Sequence, residues 1–413
     1  MITVFGLGFV GLTTALGFAH LGYRVYGVDV DEARKAILRR GELPFLEPDM
    51  QEILQEQLGR NFRIEDSAEK AVTDSEYIFY CVGTPYGNDG SADLTYLFGA
   101  IDTTLAAVRD DKFRVLVTKS TIPPTTTRDR ILPYVREHCP AGRRFGVANN
   151  PEFLREGHCW QDFMQADRIV LGVSDNESKK MLEKLYAPMG IPIECVTATT
   201  GEYIKYLSNT LLATLISYSN EMAEVADRME DVEVSRAFRI LHMDKRWNGC
   251  DMTSYVYPGC GYGGYCLPKD TNALLAQSKA KGFEPQILKH VIATNEHRPQ
   301  VIASRIAGNL PHTATIGILG LAFKPGSDDV RDTPAAHVIG ALTEMGYKNI
   351  LAYDPAANEE FAVRYPELPV KVRDSVQEVY QDADVIAVTT AWEDFREVPA
   401  LGDKPIIDCR YMF

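Results

Sequence analysis

The sequence predicts an α/β protein with a strand-and-helix block at each end and a helical block between them. Three observations carry this. Short β-rich apolar runs alternate with helical stretches from Thr3 to Gly172, the pattern of a parallel sheet. An unbroken amphipathic run then extends from Gly201 to about Glu230, and the alternation of strand and helix returns from Thr315. A chain of 413 residues is too long for one core, so two or three domains are expected.

The first block has strand candidates at Thr3–Gly6, Arg24–Asp29, Tyr77–Val82, Val115–Lys119, Phe145–Asn149 and Arg168–Gly172, punctuated by Pro123, Pro124, Pro133 and Pro140. In the second, Ile204, Leu207, Leu211, Leu215, Tyr218, Met222, Val225 and Met229 recur every three or four residues. They describe one helix of about 45 Å at 1.5 Å per residue, long enough to serve as a dimer seam. A glycine-rich loop at 257–265 interrupts an otherwise helical stretch to roughly Arg298. The third block offers strands at Thr315–Leu321, Asn349–Tyr353 and Val385–Thr389 and a helix at Ala335–Met345. It repeats the rhythm of the first without its glycine fingerprint.

Composition excludes several classes. A formal net charge of −14 argues against a nucleic-acid surface, which needs excess Lys and Arg. No apolar run approaches the ~20 residues of a membrane span, and Met1–Phe5 enters a strand without a signal peptide. The eight cysteines show no metal-ligand spacing, so no metal is expected, and they read as reduced thiols of a cytoplasmic protein.

Gly6, Gly8 and Gly11 follow a predicted strand and open a predicted helix. The first glycine permits a tight turn, the second a close approach to pyrophosphate, and the third close helix–strand packing. Asp29, at the end of the next strand, accepts from ribose hydroxyls and repels a 2′-phosphate, which favours NAD over NADP. Cys81–Pro85 and Lys119–Thr121 end further strands, where open sheets place ligands.

The loop 259–265 leads into Cys266-Leu267-Pro268-Lys269-Asp270 and a helical run from Thr271. Pro268 suits a first helical turn, which puts Cys266 at a helix N-terminus, where thiolate is favoured. Asp270 follows one turn later. A buried apolar thiol is the competing reading of Cys266. Lys205 and Asn209 share one face of the long helix and together could stabilise an oxyanion, although by spacing alone a solvated face fits them better. Glu152 and Glu156 stand four apart after a strand, as general bases or as helix caps. Lys324 and Arg331 sit beyond a third-block strand, where a phosphate could be held.

Taken together, GLGFVGL, CVGTP, KST, NPEFLREG, the Lys205/Asn209 helix, GYGGYCLPKD, GLAFKPGSDDVRDTP and the closing Asp408-Cys409-Arg410 resemble the UDP-glucose/GDP-mannose dehydrogenase family from end to end, most of all its bacterial UDP-glucose 6-dehydrogenases. The resemblance implies two Rossmann-like doubly wound domains joined by a long central helix in an α-helical middle domain. The boundaries would be 1–198 for NAD, 199–300 for dimerisation and the cysteine loop, and 301–413 for the nucleotide sugar. It implies a homodimer or dimer of dimers that oxidises UDP-glucose to UDP-glucuronate with two NAD, through a thiohemiacetal and thioester on Cys266. Lys205, Asn209, Asp270, Thr121 and Glu152 would assist. NAD would be held by Gly6, Gly8, Phe9, Val10, Gly11, Asp29, Arg34, Thr84, Ser120, Thr121, Glu156 and Arg331. The nucleotide sugar would meet Glu152, Phe153, Leu154, Glu156, Lys205, Asn209, Tyr257, Gly261, Tyr262, Gly263, Phe323, Lys324 and Arg410, with Arg246 reaching in from a neighbouring subunit. Trp247-Asn248-Gly249 and the longer stretch after it depart from the family pattern, as does Cys260. NPEFLREG and CLPKD argue against the N-acetylmannosamine branch. GDP-mannose, another UDP-hexose, or the two-electron chemistry of a hydroxyacid dehydrogenase remain as alternatives.

Overall fold

The computed structural model describes residues 1–227, 231–243, 257–282 and 284–413. They form two compact units, Met1–Leu207 and Ser208–Phe413. As expected, the architecture is α/β, with two Rossmann-like sheets and a helix-rich region between them in the chain.

The first unit is built on strands β1 (Ile2–Phe5), β2 (Val25–Val28), β3 (Phe62–Ile64), β4 (Tyr77–Tyr80), β5 (Arg114–Thr118), β6 (Phe145–Asn149), β7 (Ile169–Val173) and β8 (Ile193–Thr197). Their order is 3-2-1-4-5-6-7-8, the doubly wound arrangement whose reversal beside β1 makes a ligand crevice. β7 pairs antiparallel with β6, and β8 lies parallel to β7. β1 and β4 are buried along their whole length. Each such Val, Ile or Phe side chain contributes about 1.5–3 kcal/mol over its exposed state. The Phe9–His20 helix is buried from Gly11 to Ala19, packed between this sheet and the Met50–Gln57 and Cys159–Met164 helices. The six strands anticipated here are present; β3 and β8 are additions, both with partly exposed residues at an edge.

The second unit carries β9 (Thr315–Leu319), β10 (Asn349–Tyr353), β11 (Val370–Val372), β12 (Val385–Val388) and β13 (Ile406–Asp408) in the order 11-10-9-12-13, all parallel. This repeats the first five strands of the other sheet, and the repeat extends to atoms. Gly6 N–H donates to the Val28 carbonyl at 2.8 Å, and Gly320 N–H to the Tyr353 carbonyl at 2.9 Å. Both glycines have positive φ, +86° and +102°. Leu7 N–H donates to Asp29 at 2.6 Å and Leu321 N–H to Asp354 at 2.7 Å.

The two copies then diverge. Asp354 also accepts from the Ala322, Ala356 and Ala357 amides and the Trp392 indole, and it is buried. A carboxylate has about four lone-pair sites, so Asp354 is saturated and holds no ribose.

The long helix runs Ala198–Asp227. Its polarity is the reverse of the sequence reading. Glu202, Lys205, Tyr206, Asn209, Ala213, Ser217 and Asn220 are buried, while Tyr203, Leu207, Leu211 and Tyr218 are exposed. Among the described residues no helix is long and apolar enough to cross a membrane.

Candidate active site

The turn from β1 into the Phe9–His20 helix has the shape a pyrophosphate needs. A Cβ on Gly6 would lie 2.6 Å from the Cys81 carbonyl oxygen, and one on Gly11 would strike the Gly6 carbonyl. Gly8 faces open space. Gly6 and Gly11 therefore close the turn, and Gly8 bares the backbone where an anion approaches a helix N-terminus. Val10 receives the Thr14 hydroxyl on its carbonyl, and Phe9 stacks on Phe45 with centroids 4.0 Å apart.

Asp29 follows β2 and accepts from Leu7 N–H, from Asp31 N–H at 2.9 Å and from Arg34 Nη1 at 3.1 Å. Across the crevice, the Ser120 hydroxyl donates to the Val82 carbonyl at 2.6 Å and the Thr84 hydroxyl to the Thr121 carbonyl at 2.9 Å. These residues fit NAD. Asp29→Ala is expected to cut the ratio of NAD to NADP efficiency by about 10-fold or more, since one hydrogen-bonding carboxylate is lost. Steady-state rates with each cofactor check this, and an unchanged ratio would show that Asp29 does not read the ribose.

Downstream of β6, Glu152 is not a helix cap. The segment from Pro151 to His158 is irregular, and the next helix begins at Cys159. Glu152 instead accepts from Leu154 N–H at 2.6 Å and pairs with Lys205 Nζ at 2.8 Å, both side chains buried. The Phe153 ring has two cations near its face, Arg168 at 4.3 Å and Lys205 at 5.6 Å from the centroid. Glu47 fastens the end of the segment through Gly157 and Cys159 N–H, and Glu156 lies partly buried within it. Lys205 is thus no solvated residue, and it shares a small cavity with Thr121, Ser120 and Glu202.

In the second unit the helix begins at Cys266, five residues earlier than Thr271, and Pro268 is its third residue. Cys266 is exposed at the helix start, against the reading of a buried thiol. Asp270 is fully buried, hydrogen-bonded by Asn209 Nδ2 and paired with Lys269 Nζ at 2.5 Å. Burial opposes the charge on Lys269, but Asp270 and Cys266 outweigh it and raise its pKa. Asn209, like Lys205, is buried rather than solvated.

The glycine loop is held by side chains that spacing did not reveal. Asn295 accepts from Tyr262 N–H at 2.8 Å and donates to the Tyr262 carbonyl at 2.9 Å. Asn220 receives Gly259 N–H at 2.5 Å, and buried Arg298 donates to the Gly259 carbonyl at 2.8 Å. Side chains are excluded from the loop on several sides. A Cβ on Gly259 would meet the Arg410 guanidinium, one on Gly261 Asn295, one on Gly263 the Asp332 carbonyl, and one on Gly264 the Phe323 ring. Tyr257 donates to the Tyr411 carbonyl at 2.8 Å. Arg331 forks onto Asp329 and lies 4.7 Å from the Tyr265 centroid, and Lys324 lies 5.5 Å from that of Phe323. The structure thus gathers Tyr257, Gly261, Tyr262, Gly263, Phe323, Lys324, Arg331 and Arg410 within one unit. Arg246 lies outside the described residues. The described residues contain no His/Cys/Asp/Glu group suited to a metal ion.

Asn220, Arg298 and Glu202, all buried, and the half-buried Asn295 are polar groups that carry no motif signal, while Lys119 and Lys269 are buried members of motifs in which they had no role of their own. Lys119, which donates to Asn150 Oδ1 at 2.8 Å, has its pKa lowered to about 8 by burial. Lys119 closes an apolar strand run, but Asn220, Asn295 and Arg298 stand among other polar residues, so no local pattern marks them.

Three family models match the chain in sequence order. They are those of the UDP-glucose/GDP-mannose dehydrogenase family: NAD binding domain over residues 1–190, central domain over 199–297 and UDP binding domain over 317–413. A UDP-glucose 6-dehydrogenase of Pseudomonas aeruginosa is 36% identical over 410 residues, covering 96% of this chain and 88% of its own. The solved UDP-glucose dehydrogenase of the archaeon Pyrobaculum islandicum superposes with a TM-score of 0.92 at 35% identity, covering 99% of this chain and 94% of that one. A UDP-D-ManNAc dehydrogenase from Pyrococcus horikoshii gives 0.84 at 30% identity, over 99% and 95%.

Proposed function

The chain belongs to the UDP-glucose/GDP-mannose dehydrogenase family and is an NAD-dependent nucleotide-sugar dehydrogenase, and from that premise we propose that it oxidises UDP-glucose to UDP-glucuronate through a thioester on Cys266. The observation that carries the covalent route is an exposed thiol at a helix N-terminus, one turn before a buried carboxylate fixed by Asn209 and Lys269.

NAD, when bound, supplies the hydride acceptor. The residues of the chain do the remaining work. The Glu152–Lys205 pair takes the proton of the 6-hydroxyl, directly or through water. Asn209 donates to the oxyanion that forms at the same carbon. Cys266 adds to the aldehyde and carries first the thiohemiacetal and then the thioester, which keeps the aldehyde from escaping. Asp270 positions the water that releases the carboxylate. Thr121 lines the reacting end, and Phe153, Leu154, Glu156, Tyr257, Gly261, Tyr262, Gly263, Phe323, Lys324 and Arg410 hold the nucleotide sugar. Segments 1–198, 199–300 and 301–413 serve as cofactor, central and nucleotide-sugar domains.

UDP-glucose is favoured over other sugars because relatives bearing that name stand at 36% and 35% identity, against 30% for the UDP-D-ManNAc enzyme. In a panel of nucleotide sugars, kcat/KM for UDP-glucose is expected to exceed that for GDP-mannose and UDP-N-acetylglucosamine by about 10-fold or more. A preference for either competitor would overturn the assignment.

We also propose a cytoplasmic homodimer, since the nucleophilic thiol needs a reducing compartment. Tyr203, Leu207, Leu211 and Tyr218 form an exposed apolar stripe on the long helix, suited to a second copy. Light scattering should give twice the 46.1 kDa chain mass, and Leu207→Glu with Leu211→Glu should move it toward the monomer.

A further inference from the structure

Glu202 lies in the second turn of the long helix, buried, one turn before Lys205. Its two carboxylate oxygens reach across to the loop after Thr121. Oε2 accepts Thr125 N–H and Oε1 accepts Thr127 N–H, both at 2.6 Å. Between these anchors the loop makes an unfavourable turn, because Thr125 has φ +79°, a left-handed conformation that a β-branched residue seldom adopts. From Thr127 the chain enters a short helix to Ile131. At its other end the loop is fixed by the Thr84 hydroxyl on the Thr121 carbonyl. Glu202, Thr121 and Lys205 line the same small cavity, beside the Lys205–Glu152 pair.

We propose that Glu202 is a positioning residue for this reaction: as a carboxylate it ties the Thr121 loop to the helix turn that presents Lys205, and its protonation slackens that tie. The role rests on the assignment of Thr121 and Lys205 to the reacting end. A neutral carboxyl keeps one good acceptor oxygen, so one of the two amides loses its partner.

The charged groups that face Glu202 are Arg128 and Asp129 on the short helix, themselves paired at 2.6 Å, and Lys205 on its own helix. Burial, with a smaller push from Asp129, raises its pKa to about 7 against the opposing Thr127 and Thr125 contacts. A carboxyl raised in this way favours the fold below its ordinary range near 4.5, and that contribution is lost as pH rises through about 7. Stability and turnover therefore respond in opposite directions across this window. The fold loses support from Glu202 while the tie tightens.

The test compares wild type with Glu202→Gln and Glu202→Asp. Wild-type kcat is expected to climb through an ionisation near pH 7. Glu202→Gln should lose about 100-fold in kcat, the scale of a small misplacement of reacting groups. It should also lack that ionisation, with both KM values within about threefold. Glu202→Asp should recover part of the rate. Hydrogen exchange of the peptide covering residues 121–131, corrected for intrinsic rates, should be slow in wild type at pH 8 and faster in Glu202→Gln. Equal exchange in the two proteins, or a Glu202→Gln pH profile matching wild type, would overturn the proposal. If wild type fails to turn over UDP-glucose, the substrate assignment falls, while the exchange measurement still decides whether Glu202 holds the loop.

Discussion

Cys266→Ala should lose acid formation by about 1,000-fold or more, the scale on which removal of a covalent nucleophile acts. NAD binding should be unchanged, because the cofactor cradle of the first unit contains no part of this helix. Without a thiol to trap it, the aldehyde is returned to alcohol, and steady NADH production stops. Cys266→Ser separates nucleophile from leaving group. Serine can still add to the aldehyde, but it ionises far less readily than a thiol and its ester yields poorly to water. Intact-mass measurement should therefore reveal a sugar-nucleotide adduct on the Ser variant and none on the Ala variant. Two NADH per carboxylate, with no free aldehyde, is the expected wild-type balance. One NADH per substrate, or full acid production by Cys266→Ala, would falsify the covalent route. Cys260→Ser is the internal control. Cys260 is buried, with its thiol 3.9 Å from the Cys409 carbonyl, and serine keeps its volume and a hydrogen-bonding group, so activity should persist.

Asp270→Ala should be the most damaging single change to stability. It removes the partner of Lys269, whose ammonium is buried with it, and leaves Asn209 Nδ2 without its acceptor. Breaking one side of a buried ion pair costs about 3–5 kcal/mol, or a fall in melting temperature of roughly 6–20 °C for a unit of this size. A thermal scan of the variant measures it. Lys269→Met made together with Asp270→Leu removes both charges and should restore much of the lost stability while leaving the enzyme inactive. A double variant as unstable as Asp270→Ala would show that the ion pair is not the origin of the effect.

The legible parts of the fold were those with long, local signals. The buried strands β1, β4 and β6, the glycine turn and the long helix announce themselves by period and by punctuation. β11 and β13 are three residues each and half-buried, too short to show a period. The reversed direction of β7 depends on a pairing with β6 that no window of sequence contains. Pro268 marks the first turn of the cysteine helix, which places Cys266 at the helix start, although the regular helical run shows itself in the sequence only from Thr271.

The site was legible in its residue types more than in their surroundings. Lys205 and Asn209 look solvated by spacing, since nothing local hides them. Their cover comes from Glu152, 53 residues upstream, and Asp270, 61 residues downstream. Lys269 is adjacent to Asp270, and neighbours on a helix ordinarily face apart. The flexible lysine stem turns the ammonium back, which a wheel diagram cannot show. The amides of Asn220 and Asn295 act on backbone atoms of Gly259 and Tyr262, partners that carry no side-chain signature at all.

For anyone redesigning this enzyme to run on NADP, the carboxylate of Asp29 poses a double problem. The usual remedy removes the negative charge so that a 2′-phosphate is tolerated. Here the same oxygens stitch Leu7 and Asp31 N–H to the end of β2, so a plain deletion also unpicks the turn that the coenzyme must enter. Asn at position 29 keeps one carbonyl acceptor for that seam and discards the charge. It also releases Arg34, now engaged at 3.1 Å, to meet the added phosphate. Asp29→Asn is therefore the better founder for a switched lineage than Asp29→Ala, and melting curves of the two apoproteins would rank them before any kinetics are run.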